Sequence, residues 1–240
     1  MSNYNTTLQN NNINLQEIIN VLNNIEVDIE TENCGDINDL LDGTLTVCIN
    51  SACTNIGVGA FYYCNSLTTV SFPACTTIGG DAFFYCSSLT SVSFPACTSI
   101  GSNAFYCCSN LTTASFPACT TIGCYAFFYC YSLTSVSFPA CTSIGSNAFY
   151  DCSNLTTASF PVCTSIGSYA FRDCYNLKSL YLLGSSVCKL SNSNAFTSTP
   201  IGGYSKSAGT YGSIYVPASL LTSYQTATNW TYFSSRFVGV

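Results

Sequence analysis

The sequence predicts an α/β-type repeat solenoid, in which short parallel strands stack into one sheet that is capped at both ends. The main observation is a period of 22 residues, which three kinds of apolar residue follow through most of the chain. The leucines of this period are Leu67, Leu89, Leu111, Leu133, Leu155 and Leu177. Isoleucines from Ile78 to Ile166 and phenylalanines from Phe83 to Phe171 keep the same spacing. A fixed period of this length indicates that one supersecondary unit stacks on the next.

Composition divides the 240-residue chain into three parts, which we predict to be residues 1–42, 43–203 and 204–240. The first part carries eight acidic residues and no basic residue. The middle part carries only two charged residues, both aspartates, before residue 172. Charged residues make up 7% of the chain, against roughly 25% in ordinary domains. The repeat body is therefore nearly uncharged.

The charge pattern excludes some classes of partner. A nucleic-acid-binding surface needs lysine and arginine to neutralise phosphates, so we expect no nucleic-acid partner for this repeat body. No stretch of 18 apolar residues occurs, and we therefore expect no membrane insertion. The chain also starts without the basic and apolar stretches of a secretory signal, which leaves the route to a cell surface or a virion open.

Residues 1–42 are predicted to form an acidic helical segment or cap. Leu15, Ile18 and Leu22 follow helical spacing and contribute to one apolar stripe. Two interpretations remain open for this helix. Either it docks on the first coil, or it self-associates and makes a homo-oligomer through residues 13–25.

The first half of each repeat has the pattern of a short strand. Leu67, Val70 and Phe72 alternate well enough to face the core, and Thr69 and Ser71 lie between them and face outward. Stacked coils would pair these strands in parallel at a spacing of about 4.8 Å. The sequence therefore predicts one continuous internal file for each apolar position.

The second half of each repeat returns the chain to the next strand. Pro73 ends the strand because it has no N–H to donate. Gly79 is expected to allow a turn with positive φ, and Ala82 to let neighbouring backbones approach. Phe83 and Cys86 would point inward again from a short helical or extended return.

These motifs resemble a known repeat family. The signature and its continuation read Leu67-x-x-Val70-x-Phe72-x-x-Cys75-x-x-Ile78-Gly79-x-x-Ala82-Phe83-x-x-Cys86-x-x-Leu89. The first part resembles the leucine-rich repeat, and the whole resembles its BspA-type (Treponema-type) subclass. The resemblance covers residues 45–198, in about seven coils. It implies surface or secreted proteins that bind host or neighbouring-cell molecules, and it implies no catalysis.

Both ends of the chain carry further resemblances. Residues 213–216 are predicted to form a strand, followed by a helix that begins near Pro217 and carries Tyr224 and Trp230. This segment is similar to the terminal cap of such repeat proteins. Residues 4–16 resemble the start of tail-associated proteins in phages of Firmicutes, which implies display on a virion.

Seventeen cysteines form the second feature of the sequence. One set ends the predicted strands and is named the strand-end ladder: Cys53, Cys75, Cys97, Cys119, Cys141 and Cys163. Another set lies in the return and is named the return ladder: Cys64, Cys86, Cys108, Cys130, Cys152 and Cys174. Parallel thiols meet disulfide geometry poorly, so we expect buried thiols rather than disulfides or a metal site. The cysteines outside both ladders are Cys34, Cys48, Cys107, Cys124 and Cys188, of which Cys107 and Cys124 are expected to be more exposed.

The sequence favours a protein without catalytic activity. It contains no histidine, so no Ser-His or Cys-His pair can form. Asp81 and Asp151 lie about three coils apart, which is too far for a working pair of carboxylates. No phosphate-binding glycine motif occurs, and we expect neither a catalytic site nor a cofactor.

The predicted function is recognition or adhesion, with a protein or glycan bound through the solenoid surface on a cell surface or phage tail. The alternative is a structural protein, in which the repeat is a spacer or an assembly element. The candidate binding residues are Tyr62, Tyr63, Phe84, Tyr85, Tyr106, Phe128, Tyr129 and Tyr150. Aromatic residues are enriched at interfaces, but the same rings could simply pack along the outer side of the solenoid. The Ser/Thr side of the predicted strands is expected to be a solvated surface.

Overall fold

The computed structural model describes residues 47–49, 51–203 and 211–240. These residues form a parallel β-solenoid of about eight turns with few helices. The predicted fold class is thereby confirmed. The predicted helix within residues 1–42, with its proposed self-association stripe and its phage-like start, lies outside the described residues.

Each regular coil contributes a strand of three residues and then a strand of two residues. In chain order the strands are β1 (Val47–Ile49), β2 (Asn55–Ile56), β3 (Thr69–Ser71), β4 (Thr77–Ile78), β5 (Ser91–Ser93), β6 (Ser99–Ile100), β7 (Thr113–Ser115), β8 (Thr121–Ile122), β9 (Ser135–Ser137), β10 (Ser143–Ile144), β11 (Thr157–Ser159), β12 (Ser165–Ile166), β13 (Ser179–Tyr181), β14 (Lys189–Leu190), β15 (Ser213–Val216) and β16 (Phe237–Gly239). The odd-numbered strands and β16 form a nine-stranded sheet, and the other even-numbered strands form a seven-stranded sheet.

The nine-stranded sheet corresponds to the predicted strand of each repeat. Within it, Val70 of β3 lies opposite Val92 of β5, so the register follows the 22-residue period. Val70 is buried while Thr69 is exposed and Ser71 is half-buried, as the alternation predicts. The pairing between β7 and β9 is reduced to Ser115 opposite Ser137.

The seven-stranded sheet is an addition to the single predicted sheet. Its strands have two residues each, and Ile78 of β4 lies opposite Ile100 of β6. Two residues are too few to show an alternating pattern in the sequence. The pairing between coils therefore creates these strands.

Two columns of phenylalanine rings fill the solenoid. In one column Phe105 stacks between Phe83 and Phe127, with ring centroids 5.1 and 5.2 Å away. In the other column Phe94 stacks on Phe116 at 5.4 Å. All five rings are fully buried. Like side chains thus pack on one another along the axis, as expected for a repeat solenoid.

Glycine has a different role at Gly79 from the predicted one. Among the described glycines, positive φ occurs at Gly59 and Gly203, and Gly79 does not share it. A Cβ atom on Gly79 would instead lie 2.6 Å from Val58 N and 2.7 Å from Gly57 C. The prediction of a positive φ was wrong, because close approach between stacked backbones is what excludes a side chain here.

Turns build the return, which is neither helical nor extended. Asp81 and Tyr85 have φ values of 57° and 59°, and Asn103 and Cys107 have 56° and 58° in the next coil. Such left-handed conformations are unfavourable for residues with a side chain. Hydrogen bonds between coils hold them, such as the one from Tyr85 N to Tyr106 O at 2.7 Å.

The C-terminal segment continues the solenoid. Short 3₁₀ helices span Ser193–Phe196, Ala218–Leu220 and Thr231–Arg236, and the α-helix α1 spans Leu221–Thr226. Pro217 directly precedes the second of these 3₁₀ helices, so α1 begins one turn later than predicted. Strands β15 and β16 then extend the nine-stranded sheet.

Two buried aromatic residues attach this segment to the last coil. Tyr224 Oη accepts a hydrogen bond of 2.9 Å from Cys188 N, and Trp230 Nε1 donates one of 2.6 Å to Cys188 O. Both side chains are fully buried. These contacts support the predicted C-terminal cap, whose boundary at residue 204 stays a prediction.

Candidate functional site

Five aromatic rings stack in a row along the return side of the solenoid. The successive ring centroids of Tyr62, Phe84, Tyr106, Phe128 and Tyr150 are 4.9, 4.7, 4.8 and 4.6 Å apart. The planes of neighbouring rings differ by 2° to 18°. This spacing matches that of the parallel strands because equivalent residues of consecutive coils carry the rings.

A second, more exposed row lies beside the first. Tyr63 stacks on Tyr85 at 4.9 Å, and the two residues are 38% and 37% exposed. Cys107 occupies the next place in the row, and its hydrogen bond with Tyr85 raises the pKa of Tyr85 to about 12. Tyr129 meets Tyr106 edge-on at 6.1 Å. We name the eight predicted aromatic residues of both rows the aromatic ridge.

The stacking decides which parts of the rings a ligand can reach. Because each internal ring of the five-ring row lies between two parallel rings, its faces are covered. The half-buried side chains of this row therefore present ring edges, and the tyrosines among them also present hydroxyl groups. Binding of sugars by stacking needs an open ring face. Edges and hydroxyl groups suit a protein surface better.

The ridge ends in a cluster of charged residues. The Arg172 guanidinium lies 5.6 Å from the Tyr150 ring centroid and 5.3 Å from that of Tyr169. Its Nε lies 3.3 Å from Asp173 Oδ2. Burial, followed by the nearby Asp173 carboxylate, raises the pKa of Asp151. The aromatic ridge thus ends, on its C-terminal side, at the neighbouring carboxylates of Asp151 and Asp173.

The carboxylate pair was missed in the sequence, where Asp151 was compared with Asp81 alone and the two were excluded as a working pair. The carboxylate that acts on Asp151 is that of Asp173. Asp173 follows Asp151 by 22 residues. The repeat period itself was the signal, since residues one period apart occupy adjacent coils.

Asp151→Asn is expected to stabilise the protein at pH 7, with a rise in Tm of about 2 °C. Because the pKa of Asp151 is raised on folding, the folded state binds its proton more tightly than the unfolded state does. The stability of the wild type therefore falls as the pH rises from the ordinary aspartate pKa through the raised pKa of Asp151. Thermal melts of both proteins between pH 3 and 8 test this. The gain should vanish near pH 3, and a lower Tm for the variant at pH 7 would contradict the prediction.

The other candidate surface is the outer side of the nine-stranded sheet. A shallow depression of about 470 Å³ lies there, lined by Thr69, Ser91, Ser93, Thr113, Ala114, Ser115 and neighbouring residues. Ala114 is half-buried, whereas the equivalent Val92 and Val136 are buried. The depression thus lies where the small Ala114 side chain coincides with the reduced pairing between β7 and β9.

Both predicted cysteine ladders run through the solenoid interior. In the strand-end ladder each thiol donates to the carbonyl oxygen two residues later, as Cys97 does to Ser99 O at 3.3 Å. In the return ladder the acceptor lies 25 residues earlier, as for Cys108 and Phe83 O at 3.2 Å. Burial raises the pKa of Cys108 well above its ordinary value. Burial has the same effect on Cys86, Cys130 and Cys174, so these thiols of the return ladder are poor nucleophiles.

The cysteines outside the ladders lie in different surroundings. Cys124 is exposed and Cys107 is half-buried, in line with the expected contrast. Cys48 is disulfide-bonded, and Cys34 lies outside the described residues. Cys188 is buried against the strand-end ladder. Sequence reasoning missed this last placement because Cys188 does not follow the 22-residue period.

The exposure of the thiols predicts the order of their modification. In the native protein we expect Cys124 to react first with a thiol reagent and Cys107 to react more slowly. The buried ladder thiols should react only after unfolding, because burial shields them from the reagent and, in the return ladder, also keeps them protonated. Thiol titration with and without denaturant measures this, and Cys124→Ser should remove the fast phase. Ladder thiols that react at the rate of Cys124 in the native state would contradict it.

In the described part of the chain, no three Cys, Asp or Glu side chains are placed to hold a metal ion together. The helices within the same residues are too short and polar to cross a bilayer.

The repeat region matches one protein-family model. The BspA type leucine rich repeat region, a model of six copies, matches residues 44–155 and 98–205. These overlapping matches cover well over half of the chain. The chain belongs to this family. No comparison supports a relation of its first residues to phage tail proteins, and the curated proteins contain no match.

Solved structures of leucine-rich repeat proteins share the fold of this chain. A leucine-rich repeat protein from Eubacterium ventriosum is 25% identical with a TM-score of 0.59, over 64% of this chain and 43% of that protein. One from Bacteroides ovatus is 21% identical with a TM-score of 0.57, over 83% of this chain and 55% of that protein. This BspA-type chain thus spans about half the length of these two proteins, which share its fold.

Proposed function

We propose that this chain is a non-catalytic recognition module that binds a protein partner through the aromatic ridge, for adhesion at a cell surface. The observation that carries the proposal is the continuous stack of partly exposed rings over five coils. Repeats of this family typically serve recognition rather than catalysis. The covered ring faces favour a protein over a glycan among the two predicted ligand classes.

The properties of the ridge suit a specific interface. Tyrosine combines a rigid apolar ring with a hydroxyl group, and its side chain loses little entropy on binding. The rings are held in place by their neighbours before any ligand arrives, so binding need not order them. The Asp151 carboxylate at one end would favour a partner that carries lysine or arginine beside its apolar patch.

Binding assays on matched surface variants test the proposal. The chain is screened against purified extracellular proteins and, in parallel, against bacterial cell-wall glycans. We expect a protein ligand with a Kd of about 100 µM or tighter. The double variant Tyr85→Ser and Tyr129→Ser should weaken that binding at least about tenfold, because ring contacts dominate interface energy.

The control lies on the opposite candidate surface. Ser93→Arg and Ser115→Arg place bulky side chains at exposed positions that line the depression of the nine-stranded sheet. These variants should retain binding if the ridge is the site. Loss of binding in them but not in the tyrosine variant would overturn the assignment, as would binding of glycans alone. Circular dichroism establishes that each variant keeps the native fold.

A further inference from the structure

The last coil breaks the register of the strand-end ladder. In the regular coils the ladder cysteine lies three residues before the isoleucine of the second strand, as Cys163 does before Ile166. Cys188 lies only two residues before Leu190, although Leu190 pairs with Ile166. Cys188 therefore leaves the backbone one position closer to the strand, and its side chain need not run parallel to that of Cys163.

This shift brings the two sulfur atoms together. The Sγ atoms of Cys188 and Cys163 are 3.7 Å apart, and a disulfide bond requires about 2.05 Å. The two residues are 0% and 4% exposed, so their contact lies in the interior of the solenoid. The hydrogen bond from Cys188 lowers the pKa of Cys163 and raises that of Cys188, so the thiolate is favoured at the Cys163 sulfur. The geometric objection to disulfides in a parallel ladder does not apply to this pair.

We infer that Cys163 and Cys188 form a disulfide site, which staples the last coil to the preceding one under oxidising conditions. The Cys163 thiolate attacks one sulfur of a disulfide oxidant such as oxidised glutathione and releases one glutathione thiolate. The Cys188 thiolate then attacks the Cys163 sulfur of the mixed disulfide and releases the second. Two protein thiols thereby lose two electrons and two protons, and oxidised glutathione becomes two reduced molecules.

The position of the pair gives the bond a structural consequence. Solenoids fray from their ends because terminal coils have only one neighbour. Cys188 is also the residue to which Tyr224 and Trp230 bind, so the staple would secure the whole C-terminal segment. At the other end, Cys48 in β1 is already disulfide-bonded. Oxidation of Cys163 and Cys188 would add a covalent link between coils near the C-terminal end.

An oxidant can reach the buried pair when the last coil opens locally. Ser185 and Ser186, just before Cys188, are exposed and lie outside regular secondary structure. Such irregular terminal segments open more readily than the central coils. This predicts slow oxidation of the native protein and faster oxidation during refolding.

Peptide mapping tests the inference directly. The full chain is incubated with a glutathione redox buffer, alkylated in denaturant so that buried thiols also react, and digested with trypsin. Cleavage after Lys178 and Lys189 releases residues 179–189, in which Cys188 is the single cysteine. After oxidation this peptide should be found disulfide-linked, and it should return to the alkylated form when reductant is added before alkylation.

Two alanine variants identify the partner. Cys163→Ala should leave residues 179–189 fully alkylated after oxidation. Cys141→Ala is the matched control, because Cys141 is also buried and donates to Ser143 O at 3.3 Å, as Cys163 does to Ser165 O. This control should still form the link. An alkylated peptide from the oxidised wild type, or a linked peptide from Cys163→Ala, would overturn the inference.

Thermal unfolding provides a second readout that does not depend on the digest. Closing the loop between Cys163 and Cys188 should raise Tm by about 5 °C or more in the wild type and in Cys141→Ala. The oxidised and reduced forms of Cys163→Ala should melt at the same temperature. An oxidised wild type without such a rise would contradict the stapling role. Neither experiment depends on the proposed recognition function.

Discussion

Gly123→Ala is expected to lower the free energy of unfolding of the solenoid by about 3 kcal/mol or more, although it adds only one methyl group. A Cβ atom on Gly123 would lie 2.6 Å from Gly101 C and 2.6 Å from Ser102 N. Both atoms belong to the backbone of the preceding coil, which cannot rotate away as a side chain can. The coils would have to separate and stretch the hydrogen bond from Gly123 N to Ile100 O, now 2.9 Å. Thermal melts should show a fall in Tm of about 6 to 12 °C.

Gly80→Ser is the matched control for this prediction. The equivalent places in later coils carry Ser102, Cys124 and Ser146, so this column accommodates side chains. A Cβ atom on Gly80 would meet Ser102 O at 3.3 Å, which a small shift can relieve. We expect a change below about 1 kcal/mol. An equal loss of stability in both variants would show that close backbone approach is not the cause.

Phe105→Ala is the second substitution with a large expected effect, and it should lower the free energy of unfolding by about 4 kcal/mol. The Phe105 ring is fully buried and stacks on Phe83 and Phe127 at 5.1 and 5.2 Å. It also packs against Phe94 and Phe116 of the second ring column. Removing it leaves a cavity in the middle coils, where rigid backbone pairing limits collapse. Urea unfolding measures the change.

Tyr106→Ala, at the next position, is the control for burial. Tyr106 stacks on Phe84 and Phe128 at 4.7 and 4.8 Å, so its stacking resembles that of Phe105. It is half-buried on the ridge, however, and solvent can fill the space it leaves. We expect less than half the loss seen for Phe105→Ala. Equal losses would mean that stacking, and not burial, dominates the stability of both columns.

The fold of the repeat body could be predicted because the same residue types recur at the same places in each coil. The leucine, isoleucine and phenylalanine files follow from the 22-residue spacing alone, since residues one period apart lie in adjacent coils. The same spacing explains why the rings of consecutive coils stack in a row, whereas a binding role for the aromatic ridge stays a proposal. Sequence reasoning did not foresee that the faces of the internal rings cover one another, since that depends on ring orientation. It also misjudged Gly79, where the constraint comes from the neighbouring coil.

The last coil shows where the period stops being informative. Cys188 does not follow the spacing of 22 residues, so periodicity left it outside the ladders. Its contact with Cys163 arises because Leu190 keeps its strand pairing while the cysteine moves by one position. A local count of residues between cysteine and strand would have revealed the shift.

By itself the sequence determined the solenoid, its internal files, the two cysteine ladders and the uncharged surface. These follow from composition and from one period, which are properties of the chain alone. Only the tertiary structure decided the second sheet, the backbone approach at the glycine column, the orientation of the stacked rings and the contact of Cys163 with Cys188. Each of these depends on how one coil lies against the next, and distances between coils are set by packing rather than by the order of residues.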